Sequence, residues 1–218
     1  MTVQLPIPDF AAARRAMVES QLRPIGVSDA AVLEAMDSVP RERFVPEQSR
    51  SLAYSDRALA LGGGRFLTAP AALGQLLTQM APRKGERALV IGAATGYSAA
   101  VLAAIGCETV ALECSPELAA RARELGVEIV DGPLQAGHQG GSPYQLILID
   151  GAVEHLPEPV IGQLADGGRL GAGLIERGIA RLIVGQKVGG AFGYLSIGDS
   201  GMAALPGFSR PRPFQFER

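Results

Sequence analysis

The chain has 218 residues and a net charge of −2, with 47% hydrophobic and 19% charged residues. This composition indicates a folded globular chain of one sizeable α/β domain and excludes a disordered one. Basic runs and tryptophan are absent and aromatic residues make up 5%, so no nucleic-acid partner is expected. Neither a membrane-spanning apolar run nor a signal-peptide pattern is present, so we expect a cytoplasmic protein with no membrane partner.

The N-terminal third predicts helices and a loop. Apolar spacing, caps and breakers predict helices over 9–27 and 28–36, a turn over 39–46, a glycine-rich loop over 54–65 and a helix over 68–80. We expect these elements, residues 1–80, to form a helical extension that carries this loop.

Strands and helices alternate in the rest of the chain. Strands are predicted at 88–91, 109–113, 128–130 and 144–149, and the turn at 167–170 leads into a fifth. Helices are predicted at 98–104, 116–125 and 157–164, and an antiparallel pair at 179–188 and 191–197. The apolar run at 144–149 favours a parallel strand covered on both faces. The prediction is a single domain over 1–218 with a doubly wound, mostly parallel core at 81–218. A proline-rich tail, 206–218, is expected to wrap the surface.

A glycine turn joins the first core strand to its helix and predicts a cofactor. It reads Gly92-Ala-Ala-Thr-Gly96, which differs from the Gly-x-Gly-x-x-Gly spacing of dinucleotide sites. Such a turn suits S-adenosylmethionine, which carries no phosphate and lies against the chain through its amino-acid part and ribose. We predict that Gly92, Ala93, Ala94, Thr95 and Gly96 contact this cofactor in a Rossmann-like methyltransferase fold. The alternative is that these glycines serve packing only.

Acidic residues follow the next predicted strands. Glu113 ends the second strand, where a carboxylate accepts ribose hydroxyls, and Cys114 is next to it. Asp131-Gly132 follows the third strand and Asp150 the fourth. Small or acidic residues at successive strand ends are hard to explain by packing, so these residues complete the predicted cofactor-binding set.

Cysteines and histidines do not predict a metal site. Cys107 and Cys114 flank an extended segment that separates them too far for a disulfide, so two reduced thiols are expected. His138 and His155 form no ligand pattern with them.

From about residue 17 to 170 the chain resembles the protein-L-isoaspartate O-methyltransferases. The resemblance is carried by Val39-Pro-Arg-Glu-Arg-Phe-Val-Pro46, Tyr54, Asp56, the loop at 58–70, the glycine turn, the two helices after it, and Leu164-Ala-Asp-Gly-Gly-Arg-Leu170. It implies methyl transfer from S-adenosylmethionine to the carboxylate of L-isoaspartyl residues in damaged proteins or peptides, which is a repair reaction. A carboxylate is ionised at neutral pH, so orientation suffices and no general base is required. Monomer and homodimer both remain open.

The active-site loop departs from the family pattern Gly-Gln-Thr-Ile-Ser-x-Pro. Here it reads Gly64-Arg-Phe-Leu-Thr-Ala-Pro70. Thr68 keeps the hydroxyl that positions the substrate, Phe66 replaces a threonine, and Arg65 replaces the glutamine. Arg65 either binds the substrate carboxylate bidentately or is a solvated surface residue. We predict Thr68 and Arg65 as the catalytic residues.

The role of Asp150 and the activity itself have alternatives. Asp150 either binds the ammonium group of the cofactor or repels the substrate carboxylate. Arg65, Phe66 and Asp150 also allow a cofactor-binding homologue that is non-catalytic, or a methyltransferase that acts on a different acceptor. A nicotinamide-dependent oxidoreductase is disfavoured by the glycine spacing.

Overall fold

The computed structural model describes residues 9–210, which begin with two short helices. Helix α1 (Phe10–Met17) continues into a π-helical turn (Val18–Leu22) and a 3-10 turn (Arg23–Ile25), so the predicted single helix changes its hydrogen-bond pattern after Met17. Helix α2 (Ala30–Ser38) begins at Asp29 as predicted, because the Asp29 carboxylate accepts two first-turn N–H groups.

The predicted loop before the core ends in a small antiparallel hairpin. Strand β1 (Leu59–Gly62) pairs with β2 (Arg65–Leu67), and alternate residues of both strands point inward. Gly62, Gly63 and Gly64 all have positive φ, which permits the tight reversal between the strands. Helix α3 (Pro70–Met80) follows, and its N-cap is Ala69 and not Thr68. The hairpin turns the Arg65 side chain toward the main sheet.

The main sheet has seven strands in the order β5-β4-β3-β6-β7-β8-β9. The strands are β3 (Arg87–Ile91), β4 (Glu108–Glu113), β5 (Ile129–Asp131), β6 (Tyr144–Val153), β7 (Leu164–Glu176), β8 (Ile179–Val188) and β9 (Ala191–Asp199). Neighbours from β5 to β7 are parallel, and β8 and β9 close the sheet antiparallel. Helices α4 (Tyr97–Ile105), α5 (Pro116–Glu124) and α6 (Glu158–Gly162) connect them. The α/β prediction is confirmed.

Both faces of the sheet are buried at β3 and β6, as the apolar run of β6 predicts, whereas β9 at the edge of the sheet is largely exposed. Ala88 and Val90 face the N-terminal helices together with α3, α4 and α5, whereas Leu89 and Ile91 face the opposite side. That opposite side is covered partly by the segment after β9. In the described part of the tail, 206–210, no helix or strand forms, and Phe208 is buried against this face while the other four residues are exposed. This agrees with a tail that lies along the surface and forms no further element. Residues 211–218 of the tail lie outside the described residues.

The strand order creates a topological switch point at the carboxyl ends of the strands. The chain passes from β3 to β4 and β5, then returns to β6 on the other side of β3. In open α/β sheets, ligands bind at the carboxyl ends of the strands where the order reverses. The carboxyl ends of β3, β4, β5 and β6 therefore define the candidate site. Within 9–210, no helix is long and apolar enough to span a membrane.

Candidate cofactor and substrate site

The glycine turn adopts the strained geometry that its small residues permit. Gly92, Ala94 and Gly96 all have positive φ, at 75°, 51° and 92°. A Cβ on Gly96 would lie 2.7 Å from the Val127 side chain, so glycine is needed there for packing as well as for conformation. Thr95 donates its hydroxyl to the Phe44 carbonyl at 2.7 Å, which ties the turn to the 39–46 segment.

Glu113, at the end of β4, is fully buried and both of its carboxylate oxygens are engaged. One oxygen accepts the N–H of Ala94 at 2.7 Å. The other accepts the N–H groups of Cys114 at 2.8 Å and Ser115 at 3.0 Å, and it forms an ion pair with Arg65. Oxygens that would accept ribose hydroxyls are thus bonded within the chain.

Arg65 is buried against this carboxylate. Its side chain is 4% exposed, and its second guanidinium nitrogen donates to the Gly92 carbonyl at 2.8 Å. The alternative of a solvated surface arginine is therefore wrong. Arg65 does bind a carboxylate, but the carboxylate is Glu113 of the same chain.

Leu205 covers the turn from the other side. A Cβ on Gly92 would lie 3.0 Å from its methyl groups, and one on Gly151 would clash with it outright. Paired bonds of 2.8 Å, from the Leu205 N–H to the Ala152 carbonyl and from the Ala152 N–H to the Ala203 carbonyl, attach this segment to β6.

The space that remains at the switch point is too small for a cofactor. Between Arg65, Thr68, Asp150 and Leu205 it amounts to about 10 Å³, which is water-sized. Small-molecule sites usually offer roughly 300–1,000 Å³. In this conformation the side chains of Arg65 and Leu205 fill this part of the switch point.

Asp150 is a buried carboxylate between two hydroxyl groups. Thr68 donates to it at 2.5 Å and Ser98 at 2.6 Å. Burial raises the pKa of Asp150, and the two hydroxyls together with Arg65 and Arg41 act in the opposite direction. The predicted catalytic hydroxyl therefore lies at the switch point, 5% exposed, with its proton directed at Asp150.

The remaining predicted residues lie around this centre. Asp131 is half exposed and pairs with Arg123 at the edge of the sheet. Gly132 donates its N–H to the Glu113 carbonyl at 3.1 Å. The Cys114 residue lies at the surface beside Glu113. Two effects raise the pKa of its thiol: partial desolvation, which is the larger, and the negative charge of Glu113.

Sequence reasoning missed Arg41 as a structural link to the site. This fully buried residue donates to the Ala53 carbonyl at 2.7 Å and to the Thr68 carbonyl at 2.6 Å, and its guanidinium lies 4.8 Å from the centre of the Tyr97 ring. The sequence offered one indication, because Arg41 lies in the 39–46 segment that carries part of the family resemblance. Leu205 carried no such signal, because an isolated leucine in a loop predicts no position.

The strand order, the glycine turn and the buried carboxylate define the class. They are those of a Rossmann-like S-adenosylmethionine-dependent methyltransferase. A family model described as "Protein-L-isoaspartate(D-aspartate) O-methyltransferase (PCMT)" matches residues 13–189. The chain belongs to this family, and the predicted resemblance is confirmed.

Individual relatives agree with the family model. The chain is 42% identical over 164 residues to protein-L-isoaspartate O-methyltransferase 2 of Anaeromyxobacter sp., covering 72% of this chain and 68% of the relative. It is 42% identical over 171 residues to a protein-L-isoaspartate O-methyltransferase of Methylorubrum extorquens, covering 76% and 75%.

Solved structures show the same fold. One protein-L-isoaspartate O-methyltransferase superimposes with a TM-score of 0.78 at 26% identity, covering 89% of this chain and 66% of that one. A Plasmodium falciparum structure in complex with S-adenosyl-L-homocysteine superimposes with a TM-score of 0.77 at 19% identity, covering 88% of this chain and 97% of that one.

Proposed function

We propose that this chain transfers a methyl group from S-adenosylmethionine to the carboxylate of L-isoaspartyl residues in damaged proteins or peptides. The observation that carries the proposal is the family match over 13–189, which includes the hairpin, the glycine turn and the strand ends of the site. The acceptor is already an ionised nucleophile, so orienting it supplies most of the catalysis. The absence of a His–Asp pair from the described site agrees with this chemistry.

The roles proposed for the site follow from position. Glu113 is assigned to the ribose, the turn 92–96 to the amino-acid part of the cofactor, and Thr68 to the acceptor carboxylate. The further cofactor-binding residues proposed are Cys114, Asp131, Gly132 and Asp150. These roles require Arg65 and Leu205 to leave the positions that they occupy in the structure. Two free cysteines support a reducing, cytoplasmic location.

The decisive assay is transfer of a labelled methyl group to an isoaspartyl peptide, with the matching aspartyl peptide as control. We expect label in the isoaspartyl peptide and none above background in the control. Equal labelling of the two peptides would show a different acceptor. No labelling of either, at saturating cofactor, would contradict the proposal.

Replacing Thr68 with Val tests the role of the hydroxyl while keeping the shape of the side chain. We expect kcat/KM for the isoaspartyl peptide to fall about 10- to 100-fold, since a hydrogen bond to a charged group contributes roughly 1.5–3 kcal/mol. Thr109→Val is the matched control, because the Thr109 hydroxyl bonds to the Cys107 carbonyl at the amino end of β4, away from the carboxyl ends that form the site. Equal kinetics for both variants would remove Thr68 from the substrate site.

A second candidate function is that of a non-catalytic family member. The ion pair between Arg65 and Glu113 favours it, because this pair engages the carboxylate that a bound cofactor would use. This candidate predicts no turnover of the isoaspartyl peptide at any cofactor concentration.

A further inference from the structure

We propose that Arg65 and Leu205 together form an internal plug of the cofactor site, and that the cofactor binds only by displacing both side chains. The inference rests on the proposed function insofar as it names S-adenosylmethionine as the ligand that is excluded. It concerns binding and not transfer, so it is tested separately.

The Arg65 half of the plug satisfies the carboxylate that a ribose would otherwise satisfy. Glu113 is 0% exposed and Arg65 4% exposed, so the pair is shielded from water and from ligands. The guanidinium donates to Glu113 and to the Gly92 carbonyl, so it bridges the end of β4 and the first residue of the turn. A ribose whose hydroxyls donate to Glu113 competes directly with these bonds.

The Leu205 half fills the space above the two glycines of the switch point. Its side chain lies against Gly92, directly after β3, and against Gly151 in β6. Because these two glycines have no side chains, they leave space at the carboxyl ends of the two strands. Leu205 is 7% exposed, and about 10 Å³ is left beside it. An apolar side chain therefore occupies the volume that glycines at these positions would leave to a ligand.

The two halves of the plug lie at different places relative to the family match. Leu205 lies beyond residue 189, where the family match ends. Arg65 lies within the match, but at the loop position where the sequence departs from the family pattern.

The plug is attached at places that can move without disrupting the main sheet. Arg65 lies on the two-stranded hairpin, whose tip is three glycines with positive φ. The segment carrying Leu205 lies outside the seven-stranded sheet and pairs with β6 at one isolated bridge, between Ala152 and Ala204. Two backbone hydrogen bonds form this bridge, and beyond it the carbonyl of the buried Phe208 accepts the Glu154 N–H. Both side chains can withdraw while the seven-stranded sheet stays paired.

Such a plug lowers the apparent affinity by the fraction of molecules that are open. If 1–10% of molecules are open, the dissociation constant is raised about 10- to 100-fold over that of the open form. Substitutions that weaken the plug should recover this factor.

The experiment is isothermal titration of the full chain with S-adenosylhomocysteine, since a chain without tryptophan offers no indole fluorescence signal. The variants are Arg65→Gln, Leu205→Ala and the double variant. Arg65→Gln leaves Glu113 with the N–H groups of Ala94, Cys114 and Ser115, so the carboxylate keeps partners. We expect each single variant to bind more tightly than the wild type and the double variant to bind about 10- to 100-fold more tightly.

Matched controls separate the plug from a general loosening of the fold. Arg169→Gln breaks another largely buried ion pair, with Glu86, and Leu164→Ala truncates another buried leucine at the opposite end of β6 and β7. We expect both controls to bind like the wild type.

Two results would overturn the plug. One is a wild-type dissociation constant equal to that of the double variant; the other is no binding by either Arg65→Gln or the double variant when circular dichroism shows both to be folded. Failure of the proposed function looks different, because a double variant that binds tightly yet labels no isoaspartyl peptide would leave the plug standing. Conversely, methyl transfer by a wild type that already binds as tightly as the double variant would support the proposed function and overturn the plug.

Discussion

Asp150 shows how burial changes the pKa of a single residue of the site. Its carboxylate is 7% exposed, and burial raises its pKa despite two hydroxyl donors. A raised pKa means that the folded state retains a proton that the unfolded chain releases above about pH 3.9. The folded state is therefore favoured by this group at low pH, and that advantage is lost as the pH rises through the folded-state pKa.

Replacing Asp150 with Asn removes this titration while keeping the size of the side chain. We expect the unfolding free energy of the wild type, relative to that of the variant, to decrease from about pH 4 upward and then to level off. Urea unfolding of both proteins between pH 4 and pH 8 measures the difference. A difference that does not change over this range would show that burial does not perturb Asp150.

Ala94 is a second residue whose backbone limits stability. Its φ is 51°, a conformation that L-residues adopt at a cost of roughly 1–2 kcal/mol and that glycine adopts freely. We expect Ala94→Gly to raise the unfolding free energy by about 1 kcal/mol and the melting temperature by about 2–4 °C. Thermal unfolding followed by circular dichroism tests this, with Ala93→Gly in the same turn as the control that should not stabilise. A loss of stability in Ala94→Gly would contradict the strain.

At the scale of elements, the active-site loop is anchored to the segment before it by Arg41. One planar guanidinium donates to the carbonyls of Ala53 and Thr68 and also stacks on Tyr97. An ammonium group cannot reproduce this fork and stacking geometry. The position of the Thr68 backbone thus depends on a side chain from a different segment.

We expect Arg41→Lys to lower the unfolding free energy by about 3 kcal/mol, because buried carbonyl acceptors lose charged donors. Transfer to the isoaspartyl peptide should fall as well, since Thr68 loses its backbone anchor. Arg43→Lys is the matched control, because Arg43 is an exposed arginine of the same turn. Denaturant unfolding and the methyl-transfer assay measure the two effects. Equal stability of the two variants would show that the buried contacts of Arg41 contribute little.

At the scale of the whole molecule, the site lies where the sheet, the hairpin and the segment after β9 converge. A ligand that binds only the folded state stabilises it by about 2.7 kcal/mol at a concentration of 100 Kd. The plug predicts a second effect, a local loss of stability, because the segment that carries Leu205 must leave β6 when the ligand enters.

Hydrogen exchange with and without S-adenosylhomocysteine should therefore show two opposite changes. We expect slower exchange in β3, β4 and β6 and a higher melting temperature. We expect faster exchange at residues 200–210, where the Leu205 N–H loses its bond to the Ala152 carbonyl. Slower exchange in both regions would indicate that the ligand binds with the segment in place.

The sequence by itself determined the architecture and the family. Alternating apolar strands, the glycine turn and acids at the strand ends are local patterns. The parallel pairing of the strands then brings Gly92, Glu113, Asp131 and Asp150 to the same end of the sheet. Only the tertiary structure decided what fills that end. The partners Arg65 and Glu113 are 48 positions apart, and Leu205 reaches Gly92 from beyond the family match, so no local pattern records either contact. Sequence periodicity reports which face of an element is buried, whereas the identity of the neighbour on that face is set by packing of distant segments.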